Sequence, residues 1–363
     1  MRKFLMAACA AVLGIGLSAG TATAASAWAS RTIVVRPGQS IQAAVNRASP
    51  GDTVLIKPGV YHQSVQIRTD GITLRGSGDF YGGTVLVPPK SFPKTLCNAA
   101  FGPTGVCILA KSVNPKTGAV IRSVRDDTVT GLLVTRFPGN GVFGYGTDGL
   151  TVTRVTAIND GDYGISRFVS TRTLFADDVA IGNHEAGFYV GDSPDADTVV
   201  RDDQAYGNQF GIFIRHAREV QVTRNRVSGN CQGILVLDDG QRGGAGNVAI
   251  VSNTVFRNNK FCAKNEDTPV ATQGGGILLL GATFSRVAHN NVTGNSGSQF
   301  NSGGIVVLSA KMISQGSNPN FDTIAFNSAF RNHRADLRWD GTGIGVRFVG
   351  NACRTSVPPG LCH

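Results

Sequence analysis

The chain has 363 residues, of which 47 are glycine, only 16% are charged and 7% aromatic, and its net charge is +10. So much glycine with so few aromatic residues suits a turn-rich repeat better than a globule built around one large core. The basic balance favours anionic partners such as uronate polymers or teichoic acids. No Lys/Arg run or aromatic-interleaved basic face supports nucleic acid as a partner.

Arg2 and Lys3 precede an apolar run over 4–17, and small residues follow. Ala22-Thr23-Ala24, Ala25-Ser26-Ala27 and Ala27-Trp28-Ala29 all fit an A-x-A cleavage pattern, so 1–29 is expected to be a secretory leader. No later apolar run approaches membrane-spanning length, and a single exported domain is expected over 30–363, with no integral membrane segment once the leader is removed. Six cysteines remain beyond Cys9: Cys97, Cys107, Cys231, Cys262, Cys353 and Cys362. An even count in an exported chain reads as disulfides. Pairing sequence neighbours (97–107, 231–262 and 353–362) is the simplest of the possible connectivities. No C-x-x-C pair or His pair at ligand spacing argues for zinc.

The folded part opens with a strand at Thr32–Val35, and Pro37-Gly38 turns it. Ser40 is then placed to N-cap a short helix in which Ile41, Ala44, Val45 and Ala48 share one face. That helix would cover the open end of a stack, giving a cap over about 32–60. The turn-strand P-G-D-T-V-L-I-K-P-G-V-Y follows at 50–61. Pro88, Pro89, Pro93, Pro103 and Pro115 then mark a loop insertion over about 88–120.

From there a unit repeats. A glycine followed by an apolar strand occurs at Gly141, Gly164, Gly187, Gly211, Gly233, Gly276 and Gly304, at first every 22–24 residues and then with insertions. A second column holds Asn159, Asn183, Asn208, Asn230, Asn258, Asn295 and Asn332, and a third holds Asn225, Asn253, Asn290 and Asn327. Residues 220–237 contain three short apolar alternations at period two, punctuated by Gly and Asn, which tolerate positive φ. Gly233 is expected to need that conformation. Three short strands per coil, with Val and Ile where a leucine-rich repeat would need Leu, make a β-solenoid. Further insertions fall at 238–246, 260–275, 296–303 and 310–320. The last coil is expected near Asn332, and Trp339 with Phe348 in a cap over about 333–363.

The cap helix, the P-G-D-T-V turn-strand, the P-G-x-Y turn and the repeats closely resemble the pectin-lyase-like family of secreted proteins related to pectate lyases. The resemblance covers essentially the whole chain after the leader. It implies an all-β, right-handed parallel β-helix and action on a polysaccharide. It does not supply catalytic residues. The chain has no N-T-D, G-H-G and R-I-K set of the polygalacturonase kind, no R-x-P-x-x-R of pectate lyases and no D-P-H-D of the mannuronan epimerases.

Candidate chemistry therefore rests on stacking. With Ile212 and Ile214 inward, Phe213 points out and Arg215-His216 lead into the turn; Tyr189 and Asp192 take these places one coil earlier. Leu235 and Asp238-Asp239 take them one coil later, and Arg167 stands at a strand end two coils earlier. Asp192, Arg215, His216, Asp238 and Asp239 are the candidate acid/base set, and Arg167, Tyr189, Phe213 and Arg242 are candidate glycan contacts. A base with a cation beside it suits proton abstraction next to a uronate carboxylate. Two carboxylates roughly 10 Å apart, two strand spacings, would suit inverting hydrolysis. The same residues also fit solvated strand ends on a non-catalytic glycan-binding solenoid, so both readings stand open. His184-Glu185 reads as exposed turn chemistry. No cofactor is implied, although Asp192, Asp195 and Asp197 form an acidic loop in which calcium remains an option. The outward apolar run Tyr189, Phe213, Leu235, Leu278 and Val306 needs a cover, either a folded-back insertion, a partner chain or stacked sugar.

Overall fold

The computed structural model describes residues 30–265 and 268–362, so the expected leader lies outside the described residues. Short strands stack coil on coil in parallel columns. In the column that carries the candidate site, Val142, Ile165, Phe188, Ile212 and Ile234 are successive register partners, and Ile277, Ile305 and Leu337 continue the line. All eight are fully buried. Strand alternation then sends Ser166, Tyr189, Phe213, Leu235, Leu278 and Val306 to the outer face.

At the N-terminal end, strands Thr32–Val35 and Thr53–Ile56 pair in parallel. Between them lies the helix Ile41–Arg47, and the Ser40 side chain accepts from the Ala43 N–H at 3.1 Å. Ile41, Ala44 and Val45 enter the core. Two boundaries differ from expectation. The 88–120 insertion contains a helix, Leu96–Phe101, and a regular coil strand, Val106–Leu109, which pairs with Val142–Tyr145. Stacking also continues past Asn332, because Leu337–Trp339 pairs with Gly303–Leu308 and Arg347–Val349 with Thr323–Ala325. Trp339 and Phe348 pack together with centroids 6.2 Å apart.

Two polar ladders run through the interior. Along one, the N–H of each of Asn183, Asn208, Asn230, Asn258 and Asn295 donates to the side-chain oxygen of the next member, at 2.8–3.1 Å, as far as Asn332. Its first member is Asp160 rather than Asn159, which is exposed. The other runs Asp178, Asp203, Asn225, Asn253, Asn290, Asn327 and Asn351. These side chains satisfy corner N–H groups that no strand can reach. The glycine column has a different cause from the one expected. Gly233 does not adopt positive φ. A Cβ there would lie 2.5 Å from the Gly276 carbonyl oxygen and 2.7 Å from Val255 Cγ1, so the close approach of the next coil excludes a side chain.

Three disulfides, Cys97–Cys107, Cys231–Cys262 and Cys353–Cys362, join sequence neighbours. The second anchors the 260–275 insertion. Cys262 also exchanges backbone hydrogen bonds with Thr272, at 3.0 and 2.9 Å. Among the described residues, no helix is long and apolar enough to cross a membrane.

Candidate active site

The outer face of the site column is covered by the chain itself. Tyr189, Phe213, Leu235, Leu278 and Val306 are each at most 4% exposed, and they form one cluster with Phe210, Leu280, Leu308 and Ala310, against which Phe300 and Ile313 pack. Folded-back insertions therefore supply the cover. They leave a cleft of about 600 Å³, counting its open mouth, with Phe210, Phe213, Leu235 and Leu237 on the strand side and Pro269, Val270, Phe300 and Ile313 on the insertion side. Arg215, Asp239 and Glu185 also line it.

Next to the cleft the coil turns a corner through left-handed residues, Asp192 (φ 52°) and His216 (φ 49°). This breaks the strand alternation and lets strand-end side chains from three coils meet. His216 Nδ1 lies 3.0 Å from Asp192 Oδ1, and His216 Nε2 is bonded to Asp239 Oδ1. Arg215 donates to the other oxygen of Asp239 from Nε at 3.1 Å and from Nη2 at 2.6 Å. One imidazole thus holds two carboxylates, and their nearest oxygens are closer than the roughly 10 Å of two strand spacings. The side chain of His216 is 1% exposed, against 40% for Asp192 and 33% for Arg215.

The charges reinforce one another. Burial disfavours the His216 imidazolium, but the bonds to Asp192 and Asp239 outweigh it and raise the pKa. Burial likewise pushes the Asp239 carboxyl up, and the bonds from His216 and Arg215 more than reverse this, holding it at about 2. The arrangement is an imidazole between two carboxylates that favour its charged form, with a guanidinium on the cleft side.

The other expected residues divide. Asp238 is register-equivalent to His216 but turns away: its Oδ1 accepts the Gly240 N–H at 3.0 Å, so it shapes the loop. Tyr189 is 1% exposed beneath the cluster, stacked on Phe168 at 4.6 Å, and supports the floor without lining the cleft. Burial raises its pKa. Phe213 does line the cleft. Arg242 is exposed in the following loop, away from the cleft.

Arg167 is misplaced by the stacking argument, because it occupies the inward column as the register partner of Gly144 and Val190. Gly144 leaves room for it. Its guanidinium bonds Ser193 Oγ, the Ala196 carbonyl at 2.8 Å and Thr198 Oγ1 at 2.6 Å. It is fully buried, which lowers its pKa to about 9, and it cannot meet a substrate.

Glu185 was missed. It is 8% exposed, lines the cleft and accepts a hydrogen bond from the Tyr163 hydroxyl. Its position just before a site-column strand was the available signal. Among the described residues, no three His, Cys, Asp or Glu side chains are grouped to hold a metal, and Asp195 and Asp197 are exposed.

A coil that repeats in this register, with outward side chains gathered over one sheet, defines a parallel β-helix protein. The chain belongs to the right handed beta helix region family, whose profile matches residues 140–321. Among solved structures it is similar to the A-module of the Azotobacter vinelandii mannuronan C-5 epimerase AlgE6, with 16% identity over 86% of this chain and 88% of that one and a TM-score of 0.59. The AlgE4 A-module from the same organism matches at 16% identity over 87% and 94%, with a TM-score of 0.58. The catalytic unit of an α-1,3-glucanase from Streptomyces thermodiastaticus matches at 14% identity over 87% and 66%, with a TM-score of 0.54. At such identities the likeness speaks for the fold alone. No curated protein matches the chain in sequence.

Proposed function

We propose that this protein is exported and acts on an acidic or cell-wall polysaccharide, lyase-like or hydrolase-like, at the Asp192–His216–Asp239–Arg215 cluster. The observation that carries the reading is the imidazole bonded to two carboxylates from neighbouring coils, with one carboxylate clamped by an arginine that faces an aromatic-floored cleft. Asp192 is the most exposed member and would meet substrate as general acid or base. Arg215 would bind a uronate carboxylate and stabilise the charge that develops when the neighbouring carbon loses its proton. His216 is a positioning residue that fixes both carboxylates and holds a proton between them. Three disulfides suit an oxidising compartment, which supports export. The similar epimerases and glucanase are named for polysaccharide chemistry, which supports the substrate class.

One observation favours a second reading, a non-catalytic glycan-binding solenoid. Both His216 nitrogens are occupied and the ring is shut away from solvent, so the most basic candidate cannot itself take a substrate proton. Incubating the purified protein with a panel of acidic and neutral polysaccharides separates the two. Unsaturated uronates or new reducing ends establish the enzyme, while retention on a glycan column without any product establishes the binder.

A further inference from the structure

The cleft is lined by polar residues that the charged cluster does not use. Gln232 is 1% exposed, yet neither its amide nitrogen nor its amide oxygen has a partner. Asn301 Oδ1 and Thr272 Oγ1 are also buried and unpaired. All three residues line the same cleft, although one comes from the site-column strand Gln232–Leu237 and the others from the 296–303 and 260–275 insertions. A buried amide left unpaired costs stability, and folded proteins keep few such groups. Four such atoms on three residues that line one cleft point to a ligand that brings hydrogen bonds with it.

The chemistry of these atoms specifies the ligand. They comprise an amide donor, two amide acceptors and a hydroxyl that can play either part, and none carries charge. Arg215, whose Nε and Nη2 donate to Asp239, is left for the neighbouring unit of the glycan, and Glu185 accepts from the Tyr163 hydroxyl. Most of the remaining lining is apolar or aromatic, with Phe210, Phe213 and Phe300 among it, beside Thr268 and Ser314. Hydroxyls on the rim of a ring answer the amides, and C–H groups on its faces answer the aromatic walls.

We propose that this cleft is a subsite for one uncharged sugar ring, held by Gln232, Thr272 and Asn301 and packed against Phe213 and Phe300. The assignment rests on the glycan reading above and narrows it. Described residues of three insertions wall the cleft on one side and Arg215 lines it as well, so the neighbouring unit of the glycan lies toward Arg215.

The test is calorimetric titration of the whole exported protein with neutral monosaccharides and their methyl glycosides, and separately with the corresponding uronates. A neutral sugar is expected to bind saturably with Kd on the order of 1 mM, and Gln232→Leu or Thr272→Val to weaken it at least tenfold. Arg242→Ala, outside the cleft, serves as the unaffected control. Because Gln232→Leu removes an unpaired amide, the free variant should melt no lower than wild type, which separates lost binding from lost folding. The proposal is overturned if no neutral sugar binds saturably, if only uronates bind, or if Gln232→Leu binds like wild type. Neutral-sugar binding without any polysaccharide turnover would sink the catalytic reading and leave the subsite standing, and turnover without such binding would do the reverse.

Discussion

Asp239→Asn tests the charge network at its most buried carboxylate. Asp239 is 16% exposed, and its pKa lies at about 2 because His216 and Arg215 both donate to it. Against an ordinary value near 3.9, this depression corresponds to roughly 2.5 kcal/mol of stability. The folded pKa is depressed, so this contribution is complete above about pH 4 and is lost as pH falls toward 2. His216 acts with the opposite sign. Its raised pKa makes its contribution complete below about pH 6.5 and lost as pH climbs through the folded value. The network therefore stabilises most between about pH 4 and 6.5. Denaturant unfolding of wild type and Asp239→Asn at pH steps from 2 to 8 should show the variant weaker by about 2–3 kcal/mol near pH 5. That gap should narrow on the acid side and, as His216 deprotonates, on the alkaline side. Parallel curves across the whole range would refute the network as described.

Other perturbations address the frame around the site. Asp322 is fully buried, its Oδ1 accepts the Ser285 N–H at 2.7 Å, and its Oδ2 has no partner. Burial raises its pKa to about 7, so stability falls between pH 4 and 7. Asp322→Asn should remove up to about 4 kcal/mol of that fall in the same unfolding series. Gly233→Val should lower stability by about 3 kcal/mol, because its Cβ meets the Gly276 backbone; an unchanged melting temperature would disprove the close approach. The paired variant Cys231→Ala with Cys262→Ala should cost about 3–4 kcal/mol for a loop of 31 residues. It should also speed amide exchange selectively in the 260–275 insertion, and uniform exchange would contradict its role as an anchored wall.

The repeat was legible because stacking forces identical constraints onto identical positions. The glycine column, the β-branched inward column and the Asn columns each recur for a backbone reason that every coil shares. Asp160 escaped because the ladder needs only a side-chain acceptor, which Asp provides as well as Asn, while Asn159 beside it fitted the pattern by chance of spelling. The meeting of Asp192, His216 and Asp239 followed from register. The choice between Asp238 and Asp239 did not, since it depends on how one loop leaves its strand. Arg167 was unreadable because its inward place exists only where Gly144 leaves space on the coil before. Gln232, Thr272 and Asn301 were hidden for a different reason. Insertions carry no repeat, so what they cover is set by their own folding back and the Cys231–Cys262 anchor.

Asp192 is the right place to test the site, because it is exposed enough to change without disturbing the fold, whereas the buried His216 is not. The deciding measurement is kcat/KM on the best acidic polysaccharide for wild type, Asp192→Asn and Arg215→Gln, with melting temperatures recorded alongside. Turnover is expected to fall by about 10²–10⁴ in Asp192→Asn, with its melting temperature within a few degrees of wild type. Wild-type turnover in Asp192→Asn, or a wild-type protein inert on every glycan offered, would contradict the assignment of this cluster as a catalytic site.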